Sequence, residues 1–421
     1  MEILLAFAVV LLVAVLVSEF AERSVLSGAV LFLIAGFVLG EGVTGVLPLG
    51  EGRSEETVSA LAELALFAVL FTDGMRTGVR RLASAWRLPG RALLFGMPLT
   101  LVFTAMLAHY VAGLPWTQSF LLGAVLAPTD PVFASAIVGR EEVPARLRHL
   151  LNVESGINDG LALPIVLILA SSLGGNEQAT AAALTGELAA GVAIGVAVPW
   201  IAIKLEGSRW LSAHTTYEPL SGVAIGVLVF ALSSVLHANV FLAAFAAGVT
   251  MATMSEGLTN AFHGFGELVS ELLKLAALLV FGALLSPQFL TEVSVSGYLF
   301  GILALFAVRP LAIEIALRGS ELTRAERIAT GWFGPKGFAS VVYALIVLDA
   351  GIDLASDLFH LAGIVIAGSM IAHSSTDILV ARWFARAQAE DMARATPEER
   401  EELARAEAEA AAAEYERPPD R

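Results

Sequence analysis

Three carboxylates stand in two short stretches of an otherwise apolar part of the chain, and their surroundings suit them to handling ions. Asp130 lies in Ala127-Pro128-Thr129-Asp130-Pro131, and Glu154 and Asp159 lie in Asn152-Val153-Glu154-Ser155-Gly156-Ile157-Asn158-Asp159-Gly160. A charge at a bilayer centre costs at least ~3 kcal/mol on insertion scales, so an intramembrane carboxylate is a functional hypothesis by default. At ~1.5 Å per residue, Asp130 falls ~12 Å and Asp159 ~14 Å from the same end of their apolar runs. Both depths are near the midplane of a ~30 Å hydrocarbon core. Pro128 and Pro131 have no N–H, so the helical bonds to the Ala124 and Ala127 carbonyls are lost and the chain is expected to unwind around Thr129. Unwound backbone at that depth is tolerated only where it is buried in protein or lines a wet cavity. Free carbonyls beside carboxylates are ligands for a hard cation such as Na+. The plain alternative is a proline-kinked structural helix. The Thr-Asp pair inside the break and the acids on the next helix argue against it.

On the second stretch, Ser155 and Asp159 are four residues apart and share a helix face, as do Glu154 and Asn158. One face offers a hydroxyl and a carboxylate to an ion, and the adjacent face offers a carboxylate that wants a cation. Lys336, in Trp332-Phe333-Gly334-Pro335-Lys336-Gly337, lies ~15 Å into its own run and matches that depth. This reading pairs Glu154 with Lys336 as a structural ion pair. It leaves Asp159 as one carboxylate with two mutually exclusive ligands, a proton and a metal ion.

The elements that must position these residues are transmembrane helices. The chain has 421 residues, 57% hydrophobic and only 15% charged, with no cysteine, so thiolate and disulfide chemistry are excluded. Runs of spanning length occur near 2–18, 25–41, 57–73, 91–113, 116–138, 150–173, 179–204, 219–236, 238–254, 266–286, 295–317, 326–349 and 358–379. The fold expected is an all-α polytopic membrane protein of about thirteen transmembrane helices. Only His237 and Asn239 mark the turn inside 219–254. Runs 5 and 12 are both interrupted by Gly or Pro around a charge, the pattern that points to a transporter site at the crossing of two broken helices. Their offset of seven runs makes the two halves inverted-topology repeats.

Loop charge orients the chain. Arg23, Arg76, Arg80, Arg81, Arg87, Arg91, Arg140, Arg146, Arg148, Lys204, Arg209, Arg318, Arg324 and Arg327 fall on one side, against Arg53 alone on the other. By the positive-inside rule the N-terminus is outside and the C-terminus cytoplasmic. Glu2 to Ser18 lacks a basic n-region and reads as a retained first helix. Residues 1–384 form the membrane domain, and 385–421, rich in Glu, Ala and Arg, form a cytoplasmic acidic helical tail. The net charge of −15 sits largely in such soluble parts.

Ala-Pro-Thr-Asp-Pro followed by Glu-Ser-x-x-Asn-Asp resembles the sodium–proton exchanger family of the NhaP type, within the monovalent cation:proton antiporters. The resemblance runs to about Phe384. It implies exchange of a monovalent cation (Na+ foremost, or Li+ or K+) for protons by alternating access in the cell membrane. It implies no cofactor and a homodimer, with a mobile core of runs 4–6 and 11–13 against a dimer domain built mainly from runs 1–3 and 8–10. It makes Asp159 the ion- and proton-binding carboxylate, with Ser155, Glu154 and the Thr129 carbonyl completing the site and Asp130 neutralising the helix end at the break. Asn158 is similar to the position that distinguishes electroneutral members from electrogenic ones. Where relatives of this type usually carry Arg in the twelfth run, this chain has Lys336. With Lys336 held charged by Glu154, the exchange is electroneutral; with Lys336 giving up its proton on cation binding, a second proton is carried and the exchange is electrogenic, as in relatives that carry Lys there.

Two other classes fit parts of the pattern. An intramembrane aspartyl protease would use Asp130 and Asp159 as a dyad, leaving Glu154, Asn158 and Lys336 without roles. A passive cation channel would conduct without moving protons. Among the remaining charges, Glu267, Glu271 and Lys274 read as an internal ion pair, and Arg309 and Glu314 as braces between core helices. Glu63, Asp73 and Glu187 line either a funnel or a dimer face. The histidines show no metal-ligand spacing, with His149 read as a loop residue. No phosphate loop, nucleotide motif or nucleic-acid signature appears.

Overall fold

A computed structural model describes residues 2–23, 27–47, 53–76, 86–130, 143–173, 181–206, 218–394, 396 and 405. The expectations for Arg80, Arg81, Pro131, Arg140, Arg209 and most of the 385–421 tail lie outside the described residues. The described chain is helical, with no strand beyond a single bridge between Gly40 and Leu47. The helices are α1 (Glu2–Arg23), α2 (Gly28–Leu39), α3 (Arg53–Arg76), α4 (Arg87–Tyr110), α5 (Trp116–Leu126), α6 (Ala145–Leu173), α7 (Ala181–Glu206) and α8 (Glu218–Val235). They continue with α9 (Val240–Met254), α10 (Glu256–Leu284), the short α11 (Pro287–Glu292), α12 (Val295–Ala316), α13 (Arg324–Trp332), α14 (Phe338–Asp349) and α15 (Ala355–Arg394).

Where it is described, each apolar run of the sequence coincides with helix, the twelfth being divided between α13 and α14, while residues 131–138 of the fifth run lie outside the described residues. Among the described residues, five helical stretches of at least 18 residues are apolar enough to cross a bilayer: Arg87–Tyr110, Arg146–Leu173, Ala183–Glu206, Val295–Ala316 and Ala355–Thr376. The turn expected between α8 and α9 is real. His237 takes a positive φ of 51°, and the Asn239 side chain accepts the Leu242 N–H at 2.8 Å to cap α9, as an N-cap asparagine does.

Packing sorts the helices into two groups. In one, α3 packs on α9 and α10, α2 on α10, and α7 and α8 on α9. Glycines let these backbones nearly touch. A methyl group on Gly36 would overlap the Leu279 carbonyl, one on Gly282 the Leu33 carbonyl, and one on Gly248 the Phe71 carbonyl. In the other group, α4 packs on α5, α5 on α6, α12 on α13 and α14 on α15. The groups meet where α3 touches α6 and α14, α6 touches α9, and α10 touches α14. Asp73, Asp159 and Lys274, all buried, lie on helices that form that meeting line.

Both α4 and α12 contain a π-helical turn, Ala92–Gly96 and Ala304–Val308, each followed within two residues by a proline, Pro98 and Pro310. A proline removes one donor and crowds the preceding turn, which a widened turn accommodates.

Candidate functional site

The first break follows from Pro128. α5 ends at Leu126, the Ala127 N–H reaches back only to the Ala124 carbonyl at 3.4 Å, and residues 128–130 are not helical. The second break, residues 333–337, separates α13 from α14 and contains Gly334, Pro335 and Gly337. Buried backbone groups need partners, and here each break supplies them to the other. The Asp130 N–H donates to the Pro335 carbonyl at 3.0 Å. The Phe338 N–H, first in α14, donates to Asp130 Oδ2 at 3.1 Å. Lys336 Nζ donates to the Pro128 carbonyl at 3.4 Å. The crossing is close enough that a methyl group on Gly337 would run into the Asp130 side chain. Asp130 therefore sits on the positive end of α14, where a carboxylate is stabilised by free N–H groups and the helix dipole.

The remaining backbone at the second break is tied down by α15. The Lys336 N–H donates to Ser369 Oγ at 2.8 Å, and the His373 ring lies between the Ser369 carbonyl (2.7 Å) and the Trp332 carbonyl (2.9 Å). At the far end of α13 a capping box joins Thr323 and Glu326, and Glu326 also takes two bonds from Arg146 of α6 at 2.7 and 2.9 Å. That ion pair fixes the start of α6 against α13.

Along α6, two of the residues singled out from sequence, Ser155 and Asn158, meet Thr129 of the first break. Asn158 Nδ2 donates to Thr129 Oγ1 at 2.7 Å, and the hydroxyls of Thr129 and Ser155 lie 3.3 Å apart. Thr129, Ser155, Asn158 and Asp159 are all buried, at 1%, 4%, 1% and 5% exposure. Among the described residues Asp159 Oδ1 and Asn158 Oδ1 have no hydrogen-bond donor. Bare oxygens so deep are costly unless something positive occupies the space beside them. The Asp159 carbonyl accepts from the Tyr343 hydroxyl at 2.6 Å, anchoring α14 to α6.

Two sequence expectations are corrected. Glu154 does not pair with Lys336: both of its oxygens take bonds from Arg309, at 2.9 and 3.1 Å, with both side chains almost fully buried. Arg309 can reach because it follows the π turn of α12 and lies against Gly334, where any side chain would displace the guanidinium. The arginine sought in the twelfth run is thus supplied by the eleventh, while Lys336 turns to the Pro128 carbonyl. The triplet on α10 also divides. Lys274 keeps Glu271 at 3.4 Å, but Glu267 pairs with Arg76 of α3. The bracing expected of Glu314 is seen with Arg327 at 3.1 Å. An aspartyl dyad is not formed in the way a protease needs, since Asp130 is engaged at the start of α14. Among the described residues no three His, Cys, Asp or Glu gather into a metal centre.

Sequence reasoning missed Tyr343, Ser369 and His373, which sit in apolar helices with no motif around them. Only the depth of the Ser and His within their run could have flagged them.

Interrupted helices that cross at a buried, charged break are the architecture of secondary transporters. The chain belongs to the sodium/hydrogen exchanger, transmembrane family, which it matches over residues 7–382. It is 25% identical over 379 residues to the K(+)/H(+) antiporter NhaP2 of Shewanella baltica, covering 88% of this chain and 64% of that protein. To the K(+)/H(+) antiporter NhaP of Alkalimonas amylolytica it is 23% identical over 385 residues, covering 90% and 66%. The chain therefore spans just under two thirds of the length of these curated relatives. The sodium proton antiporter MjNhaP1 from Methanocaldococcus jannaschii has the same fold, with a TM-score of 0.71 at 20% identity, over 91% of this chain and 99% of that one.

Proposed function

We propose that this chain is a secondary active antiporter that exchanges a monovalent cation for a proton by alternating access. The observation that carries the reading is Asp159: a midplane carboxylate with a bare, buried oxygen, beside the Thr129 and Ser155 hydroxyls and the crossing of two broken helices. A cation at that oxygen takes ligands from Asp159, Ser155 and Thr129. Bound there, it excludes the proton, and a proton bound there excludes it. Glu154 serves the site by locking Arg309 into a neutral buried pair that holds α12 against α6. Asp130 holds the second break in register with the first. The names of the relatives support both Na+ and K+ as cargo, with Li+ accepting the same oxygen ligands.

The two packing groups are read as a mobile core (runs 4–6 and 11–13) and a scaffold (runs 1–3 and 8–10) through which two copies associate as a homodimer in the cell membrane. Basic loop residues support an outside N-terminus and a cytoplasmic C-terminus. Asn158 cannot titrate and Arg309 stays charged, so with Lys336, bonded to the Pro128 carbonyl, keeping its proton through the cycle, the Asp159 proton is the one traded for one cation and the exchange is electroneutral.

The test is ΔpH dequenching in proteoliposomes, with Na+, K+ and Li+ added in turn. The parent protein should collapse the gradient with at least one of them, and Asp159→Asn should not, while remaining a folded dimer. Substantial exchange by Asp159→Asn would overturn the mechanism.

A further inference from the structure

Lys274 is a buried charge that the exchange reading leaves unused. It lies on α10, at 7% exposure, in the group of helices that lacks Asp159. Burying an ammonium is costly unless carboxylates repay it, and its hydrogen-bond partner, Glu271, is 42% exposed at 3.4 Å. One half-exposed partner does not account for so deep a placement.

The helix contacts show what else it faces. α3 and α10 are tied by Arg76 to Glu267 and, further along, by Thr72 Oγ1 donating to Ser270 Oγ at 3.3 Å. Lys274 is one turn beyond Ser270 on the same face. Helical side chains lean back toward the N-terminus, so its ammonium is carried toward the level of Thr72 and Asp73. Asp73 is buried, with Arg76 3.4 Å away on the outer side. α10 and α3 both touch α14, and α3 touches α6. These four helices enclose one space, and within it Lys274 is in electrostatic range of Asp73, Asp130 and Asp159. The charges around this space are thus Asp73 from α3, with Arg76 at its outer edge, Lys274 from α10, Asp159 from α6 and Asp130 from the break.

We propose that Lys274 is a resident counter-ion of the transport site, a tethered cation that competes with the cargo. With no metal ion bound, its ammonium balances the acidic space between α3, α6, α10 and α14. When a monovalent cation settles at Asp159, the ammonium is left to Glu271, its partner at the outer edge. Lys274 is then a positioning residue that sets cation affinity: it keeps the empty site from holding its cargo too tightly to release it. The inference rests on the exchange reading above.

The experiment measures the Na+ and K+ concentrations giving half-maximal thermal stabilisation in detergent at alkaline pH, alongside KM in proteoliposomes. Removing one unit charge within range, at an effective dielectric of ~20, shifts affinity on the order of tenfold. Lys274→Gln should lower both midpoints by about that factor and slow turnover, while Lys274→Arg restores the parent values. Glu271→Gln, at a half-exposed position, should raise the midpoints, because the ammonium loses its outer resting place. A merely structural Lys274 would change melting without moving the cation midpoints. Unchanged midpoints in Lys274→Gln, or in Glu271→Gln should Lys274→Gln fail to fold, overturn this inference alone. Absence of any cation-dependent stabilisation in the parent protein would instead remove the exchange reading.

Discussion

The Arg309–Glu154 pair is where substitution should separate geometry from sequence pattern most sharply. Two bonds of 2.9 and 3.1 Å join side chains that are 5% and 1% exposed. Deleting one member leaves an uncompensated buried charge, so Arg309→Met and Glu154→Leu should each cost ~3–5 kcal/mol. Replacing both with apolar groups removes the stranded charge, and such double replacements are often neutral. If the double variant costs no more than either single one, the pair is non-additive by ~3 kcal/mol or more, at the top of the range for residues in contact. The assay is equilibrium unfolding in mixed micelles by titrated SDS, followed through the fluorescence of the six tryptophans. The same cycle on Glu154 and Lys336 should give a clearly smaller coupling, because Lys336 bonds the Pro128 carbonyl. A Glu154–Lys336 coupling equal to or larger than the Glu154–Arg309 one would refute the reasoning.

Three further outcomes are expected. Gly337→Ala forces a methyl group into the Asp130 side chain and should cost ~1–3 kcal/mol and suppress exchange, whereas Gly257→Ala, with open space around it, should do neither in the same unfolding and flux assays. Tyr343→Phe strands the Asp159 carbonyl and should cost ~1–3 kcal/mol, with a weaker cation midpoint in thermal-shift titrations. Under a valinomycin-clamped potential, imposed voltage should leave the exchange end point unchanged; a shift would show net charge movement and would move attention to Lys336.

The sequence made the framework legible because the bilayer is a severe solvent. Long apolar runs have one solution, the helix, so among the described residues the runs are helical apart from the breaks, and Pro128 and Gly334-Pro335 announced both breaks. Carboxylates at midplane depth announced themselves equally well. What stayed hidden was partnership across long sequence distances. Glu154 and Arg309 are 155 residues apart, and nothing local distinguishes Arg309 from Lys336 as a partner at similar depth. The π turn that aims Arg309 inward is likewise a response to tertiary packing around Pro310. Tyr343 reads as one more apolar residue until its hydroxyl meets the Asp159 carbonyl. On α10, helical spacing grouped Glu267 with Lys274, but Arg76 on a neighbouring helix reaches Glu267 instead.

The glycine contacts have a mechanical consequence. Among the described glycines, those that bring one helix against another's backbone carbonyl join members of the same packing group: Gly36 and Gly282 between α2 and α10, Gly74 and Gly248 between α3 and α9, Gly195 between α7 and α9, and Gly123 between α4 and α5. Across the boundary, Gly160 of α6 meets only the ring of Phe245 on α9. Interlocked backbones resist shear, because sliding would drive carbonyls into one another, whereas a ring can turn as a neighbour passes. The interlocked pairs, α2–α10, α3–α9 and α7–α9 in one group and α4–α5 in the other, are therefore stiff against sliding, whereas α6, which carries Asp159, meets α9 at Gly160 through a side chain alone.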